Sequence, residues 1–154
     1  IVTCKGIQMG DRLTDNTYEE TGYRFHDAIH YAFVAVLGWS PVMRSLFKLK
    51  RKSDPQKDEV EDGARAAIIE EAIVSLTYDY AEGQNLLEGQ NEVDHSRIKI
   101  IQKLSKGLEV SQCQPWEWKK AILKGYEMFR LLKANKGGKL ILDLEKRDIF
   151  YEKL

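Results

Sequence analysis

Long apolar runs are absent from this sequence. None approaches the roughly 20 residues a helix needs to cross a bilayer, and no charged stretch followed by an apolar core opens the chain. No membrane partner is therefore expected. Cysteine is nearly absent too: Cys4 and Cys113 lie far apart without metal-ligand spacing, which excludes a disulfide scaffold, a zinc ribbon or a deaminase centre and fits the cytoplasm. Charge of one sign is missing as well, because 24 Lys and Arg residues balance 24 Asp and Glu residues. Affinity for polyanions is thereby confined to local clusters, and nucleic acid is not expected as a partner. Internal repeats, low-complexity segments and any Ser-His-Asp arrangement are lacking, and neither cysteine stands next to a base, so nucleophilic catalysis is unsupported.

What remains is a chain of 154 residues, long enough for one domain with a substantial core. It opens on Ile1 rather than Met, directly into strand-like sequence, as a piece of a longer polypeptide would. Residues 1–5 and 7–9, separated by Gly6, read as a small hairpin, and the polar stretch 14–21 with Asp15-Asn16 reads as a loop. The most informative stretch follows. On a period of 3.6, His26, Ile29, His30, Phe33, Val34 and Leu37 share one face of a helix over residues 22–38, so two imidazoles stand one turn apart on the side that should be inside. Buried imidazoles need partners, and Asp27 stands at the flank.

Ser40-Pro41 is an N-cap followed by proline at the first helical position, and predicts a second helix over 41–50. A third is expected from Asp58, with acidic residues in its first turn, to about Ala81. Its two faces are Asp62, Arg65, Ala66, Ile69, Ala72, Ile73, Leu76 and Tyr80 on one side, and Ala64, Ala67, Ile68, Glu71, Ser75 and Tyr78 on the other. A fourth helix over 93–107 and a fifth from Pro115 to the stop at residues 135–138 follow, and 139–144 with 148–151 read as a terminal hairpin. The Gly137-Gly138 pair lacks phosphate-loop spacing and reads as a turn. Helices dominate, with strands at the two ends, so the expected class is mainly α: a helical bundle with a small sheet formed by the N- and C-terminal hairpins (α+β).

Two clusters carry chemistry. His26, Asp27 and His30 on the first helix, facing Glu70 and Glu71 on the third, have the three- and four-residue spacing of inward ligands in metal-dependent bundles. Carboxylates with a few imidazoles suit a divalent ion such as Mg²⁺ or Mn²⁺ holding water or phosphate. The alternative is that the same residues are core histidines hydrogen-bonded to Glu71 and backbone carbonyls, with no ion. The second cluster, Lys48, Lys50, Arg51 and Lys52, offers clamps for phosphate oxygens or, alternatively, a solvated helix end. Arg65 could join it, or pair along its helix with Asp62.

The stretches at residues 10–16, 22–30, 37–42, 50–55 and 58–72, with Trp116 to Tyr151, resemble the C-terminal domain of MazG-like nucleotide pyrophosphohydrolases. The resemblance implies a nucleotide or other phosphorylated ligand, cleavage of nucleoside triphosphates to monophosphate and pyrophosphate, and Mg²⁺ held by carboxylates. In a catalytic version, read from the inward face of the histidine helix and the carboxylates of the third, Asp27, Glu70, Glu71 and Asp62 are the expected metal ligands, His26, His30 and Glu71 the groups around the attacking water, and Lys50, Arg51, Lys52 and Arg65 the phosphate contacts. One departure is plain. The family's Glu-Glu-x-x-Glu motif is incomplete, since Val74 stands three residues after Glu71, and the Glu-x-x-Asp of Glu59 to Asp62 precedes the pair rather than following it. Two expectations therefore stand side by side: a metal site of histidine and carboxylate within this chain, or an accessory domain, serving as a homo-oligomerisation or partner surface, whose enzyme lies upstream.

Overall fold

The computed structural model describes residues 2–154. Ile1 and the side chain of Cys4 lie outside the described residues, and with them the expectation that the first strand starts at Ile1. Strand β1 (Val2–Cys4) pairs antiparallel with β2 (Ile7–Met9), so that Cys4 stands opposite Ile7. The loop that follows is gathered by a single carboxylate. Asp15, buried, accepts hydrogen bonds from the backbone N–H groups of Thr21 (2.8 Å), Gly22 (2.9 Å) and Arg24 (2.8 Å). The Arg24 N–H, acting against burial and helped by Gly22 and Thr21, holds the Asp15 carboxyl below its ordinary range.

The histidine helix is less uniform than its sequence suggests. A 3₁₀ turn (Tyr23–Phe25) leads into α1 (Asp27–Ala32), and a wider π-type coil (Phe33–Leu37) ends it at Gly38. Ile29, His30, Phe33 and Leu37 are buried as the period requires. The Ser40 hydroxyl caps α2 (Pro41–Leu46) by accepting from the Met43 N–H at 3.0 Å, with Pro41 at the first position. This helix stops four residues before the expected end at Lys50, since its carbonyls turn to close the chain: the Leu49 N–H reaches back to the Arg44 carbonyl at 2.8 Å.

The long third helix predicted from Asp58 is in fact two, α3 (Pro55–Glu61) and α4 (Ala64–Glu82). The cause is at Gly63, where a Cβ would lie 2.2 Å from the Glu59 carbonyl oxygen. Only glycine permits that approach. The buried residues of α4 also differ from either predicted face: Ala66, Glu70, Ile73, Val74, Thr77 and Ala81 form one stripe, while Ile68 is 68% exposed.

Helix α5 (His95–Leu104) is capped by the Asp94 carboxylate, and α6 (Pro115–Asn135) opens with a reciprocal Gln114–Glu117 capping box. Strand β3 (Lys139–Asp143) pairs with β4 (Asp148–Glu152), Leu140 opposite Tyr151. The mainly helical class with terminal hairpins is observed, but the hairpins do not share a sheet; each is its own two-stranded ladder. The expectation of one joint sheet is corrected on that point, because β3 and β4 pack on α1, α6 and the π-type coil rather than on the first hairpin.

The core forms where α1 and the π-type coil lie on α6. Phe33 and Trp118 meet edge to face at 5.6 Å between ring centres, and Tyr126 and Phe129 complete the layer. At the crossing, a Cβ on Gly125 would come within 3.2 Å of Ile29 Cδ1 and 3.3 Å of Ala32 Cβ. A single methyl is therefore at the limit of what fits. Gly125→Ala should be nearly neutral, its helix-propensity gain offsetting the squeeze, whereas Gly125→Leu should cost about 1–3 kcal/mol by overpacking. Chemical denaturation of the two variants checks this, and equal stability would show that the crossing is loose.

Among the described residues no helix is long and apolar enough to cross a membrane.

Candidate functional site

Burying Glu70 on the inner stripe of α4 brings its carboxylate under α1 and the start of α2. It is fully buried and fully partnered. Oε1 accepts from His30 Nδ1 at 2.8 Å and from the Ser40 hydroxyl at 2.6 Å, while Oε2 accepts from the Val42 N–H at 2.8 Å. One side chain thus ties α1, α2 and α4 together.

Because a carboxylate can only accept, His30 must carry a proton on Nδ1, and Nε2 is the atom left to turn elsewhere. Nε2 is buried, lacks an aligned hydrogen bond, and lies 3.4 Å from Oε2 of Glu71, whose side chain is about half exposed (48%). His26 repeats the pattern one turn earlier. Its Nδ1 lies 2.8 Å from the Tyr23 carbonyl, also an acceptor only, and its Nε2 lies 3.5 Å from Asp27 Oδ1. Tyr23 stacks on the His26 ring at 4.4 Å and holds it flat, while the two imidazoles meet edge to face at 5.7 Å. One ligand atom each from His26, Asp27 and His30 lie within 4.8 Å of one another.

Electrostatically, this corner is anionic apart from its imidazoles. Burial works against charging His30, but Glu70 and Glu71 outweigh it and raise the imidazole from 6.5 to about 9. In return His30 holds Glu71 below the ordinary carboxylate range. The surroundings of His30 Nε2 therefore favour a cation at that atom. An Nδ1–H donated to oxygen is the way metal-bound histidines are oriented, and with one ligand atom each from His26, Asp27 and His30 within 4.8 Å the donor set could hold a divalent ion.

The structure brings together His26, Asp27, His30, Glu70 and Glu71, as the sequence predicts. Their parts differ, for Glu70 spends both oxygens inside the protein and positions His30. Asp62 stands elsewhere, buried against Arg44 Nε at 3.3 Å and accepting from the Arg51 N–H at 2.6 Å. Its partner is Arg44 rather than Arg65, which is exposed. Arg51 is also occupied: its guanidinium forms a two-pronged pair with Glu109, which itself donates its backbone N–H to Glu61. Lys50 and Lys52 are exposed. Sequence reasoning missed Ser40 and Tyr23 as supports of the cluster; the Ser40-Pro41 cap was the available signal for the first, and Tyr23 gave none beyond its place three residues before His26.

Asp27 also lines a large cleft on the outer side of α1, so the cluster reaches the cleft wall. Residues 1–154 match the family model of the MazG C-terminal domain. No curated protein and no solved structure matches the chain.

Proposed function

The chain belongs to the MazG C-terminal domain family, and from that membership and the geometry above we propose that it is a metal-dependent phosphohydrolase domain acting on nucleoside triphosphates. The reaction is attack of water on the triphosphate, giving monophosphate and pyrophosphate. The observation that carries the reading is the grouping of His26, Asp27 and His30, one ligand atom of each within 4.8 Å of the others, with the His30 ring fixed by Glu70 and its buried Nε2 without an aligned hydrogen bond. His26, Asp27 and His30 would hold a divalent ion, Mn²⁺ suiting the donors better than Mg²⁺. Such an ion supplies charge to phosphate oxygens and acidifies bound water. Glu71, half exposed and held ionised by His30, takes the proton of the attacking water on a carboxylate oxygen. Glu70 and Tyr23 orient the two rings.

A second reading has its own support. The complete set of hydrogen bonds on Glu70 is what a purely structural tie between three helices needs, and the domain would then be a non-catalytic accessory module. Mn²⁺ titration followed by electron paramagnetic resonance, with pyrophosphate release from a panel of nucleoside triphosphates, separates the two. The phosphohydrolase reading expects Asp27→Asn to lose Mn²⁺ binding and Glu71→Gln to keep it while losing turnover at least tenfold. Absence of both binding and pyrophosphate release in the wild type leaves the accessory module.

A further inference from the structure

The cleft beside Asp27 has a volume of about 1470 Å³ and lies between the N-terminal segment, α1, α2, the end of α6 and the terminal hairpin. It exceeds the roughly 300–1,000 Å³ of an ordinary small-molecule pocket, which suits a ligand with two unlike parts. One wall is aromatic: Phe25, Tyr31, Trp39 and Phe47 line it, and the indole N–H of Trp39, a residue only 2% exposed, has no acceptor.

The charges lining the cleft are unbalanced. Lysines and arginines face only Glu20 and Asp27 as lining carboxylates. Several of these cations are already spent, Arg24 on Glu20, Arg44 on Asp62, Lys139 on Glu152 and Arg147 on Glu117. Arg12, Lys133 and Lys136 also line the cleft and have no carboxylate partner among the described residues. The two lysines sit at the end of α6, where the helix dipole welcomes them. That does not account for Arg12, which the N-terminal loop brings to the same cleft. Unpaired cations beside low-dielectric walls attract anions more strongly than the same charges on open surface.

We propose that this cleft is a metal-independent binding site for an organic polyphosphate with a flat aromatic group, Arg12, Lys133 and Lys136 taking the phosphates and the aromatic wall the flat group. It rests on the phosphohydrolase reading only in that its ligand would be that reaction's substrate, delivered beside Asp27; binding itself needs no ion. The run at Lys50, Arg51 and Lys52 does not line the cleft.

Calorimetric titration in EDTA with adenosine triphosphate, inorganic tripolyphosphate and adenosine tests the site apart from the metal centre. Adenosine triphosphate should bind at least tenfold more tightly than either fragment, and more weakly as salt rises. The Arg12→Gln, Lys133→Met, Lys136→Gln triple variant should lose at least tenfold in affinity, with Arg12→Gln alone losing severalfold should the triple variant fail to fold. Lys99→Gln on α5 should change nothing. No binding of adenosine triphosphate in EDTA, binding indifferent to these substitutions, tripolyphosphate binding as well as the nucleotide, or sedimentation showing that the cleft joins two copies of the chain would each overturn the proposal. Failure of Mn²⁺ binding with intact nucleotide binding would count against the metal centre alone.

Discussion

Replacing Glu70 with alanine is expected to lower the unfolding free energy by about 3–5 kcal/mol, the cost of removing one partner from a buried charged pair. The carboxylate is fully buried and satisfies the His30 ring, the Ser40 hydroxyl and the Val42 N–H at once. Without it a buried imidazole and the first N–H of α2 lose their acceptor, in a place water does not reach. For a domain of this size, the midpoint of thermal unfolding should fall by on the order of 10 °C. Glu71→Ala is the control. That side chain is half exposed and meets His30 without an aligned hydrogen bond, so its removal should cost no more than about 1 kcal/mol. Equal losses from the two variants would show that Glu70 is not what ties α1, α2 and α4 together.

The contrast between neighbours 70 and 71 also marks how far the sequence could be read. The histidine helix, its inward face and its meeting with a pair of glutamates were legible, because imidazoles at a one-turn spacing inside an apolar stripe require partners. Which glutamate goes inside was not. Glu70 and Thr77 interrupt the apolar period of α4, so a reading by hydrophobicity passes over the stripe that is buried. The split between α3 and α4 depends on the Glu59 carbonyl pressing on Gly63, a contact invisible in residue types. Arg51 looked like a phosphate clamp because its partner Glu109 is 58 positions away in the chain. The cleft cations were unreadable for the same reason, since Arg12 is more than a hundred positions from Lys133 and Lys136 and lines the same cleft only in the folded chain. A distant pairing was legible only where buried imidazoles demanded it, as between His30 and the glutamates; pairings of exposed or half-buried charges were not.

With divalent ions removed by EDTA, the chain should lose stability as pH rises from about 6.5 toward 9.5. Folding raises the His30 imidazole from 6.5 to about 9, burial being outweighed by Glu70 and Glu71. The folded chain therefore binds this proton more tightly than the unfolded one. Its contribution is complete below 6.5 and disappears as pH climbs through about 9, a loss on the order of 3 kcal/mol. Among the groups around the ring, Glu71 is held ionised below this window, and Tyr23 is raised above its ordinary 10.0 by burial and by Glu71, so it stays neutral through it. Asp27 and Glu70 are the other carboxylates there, and His26 is the other imidazole. Thermal unfolding at pH 6, 7.5 and 9.5 should show the decline in the wild type and in His26→Gln, and a much flatter profile in His30→Gln. A decline as steep in His30→Gln would place the proton elsewhere. The same proton opposes a metal ion at Nε2, so Mn²⁺ affinity should strengthen as pH rises through the window in which the metal-free chain weakens. Stabilisation by Mn²⁺ would then be greatest at the alkaline end, where His30 has given up its proton and Glu70 still holds the ring in place.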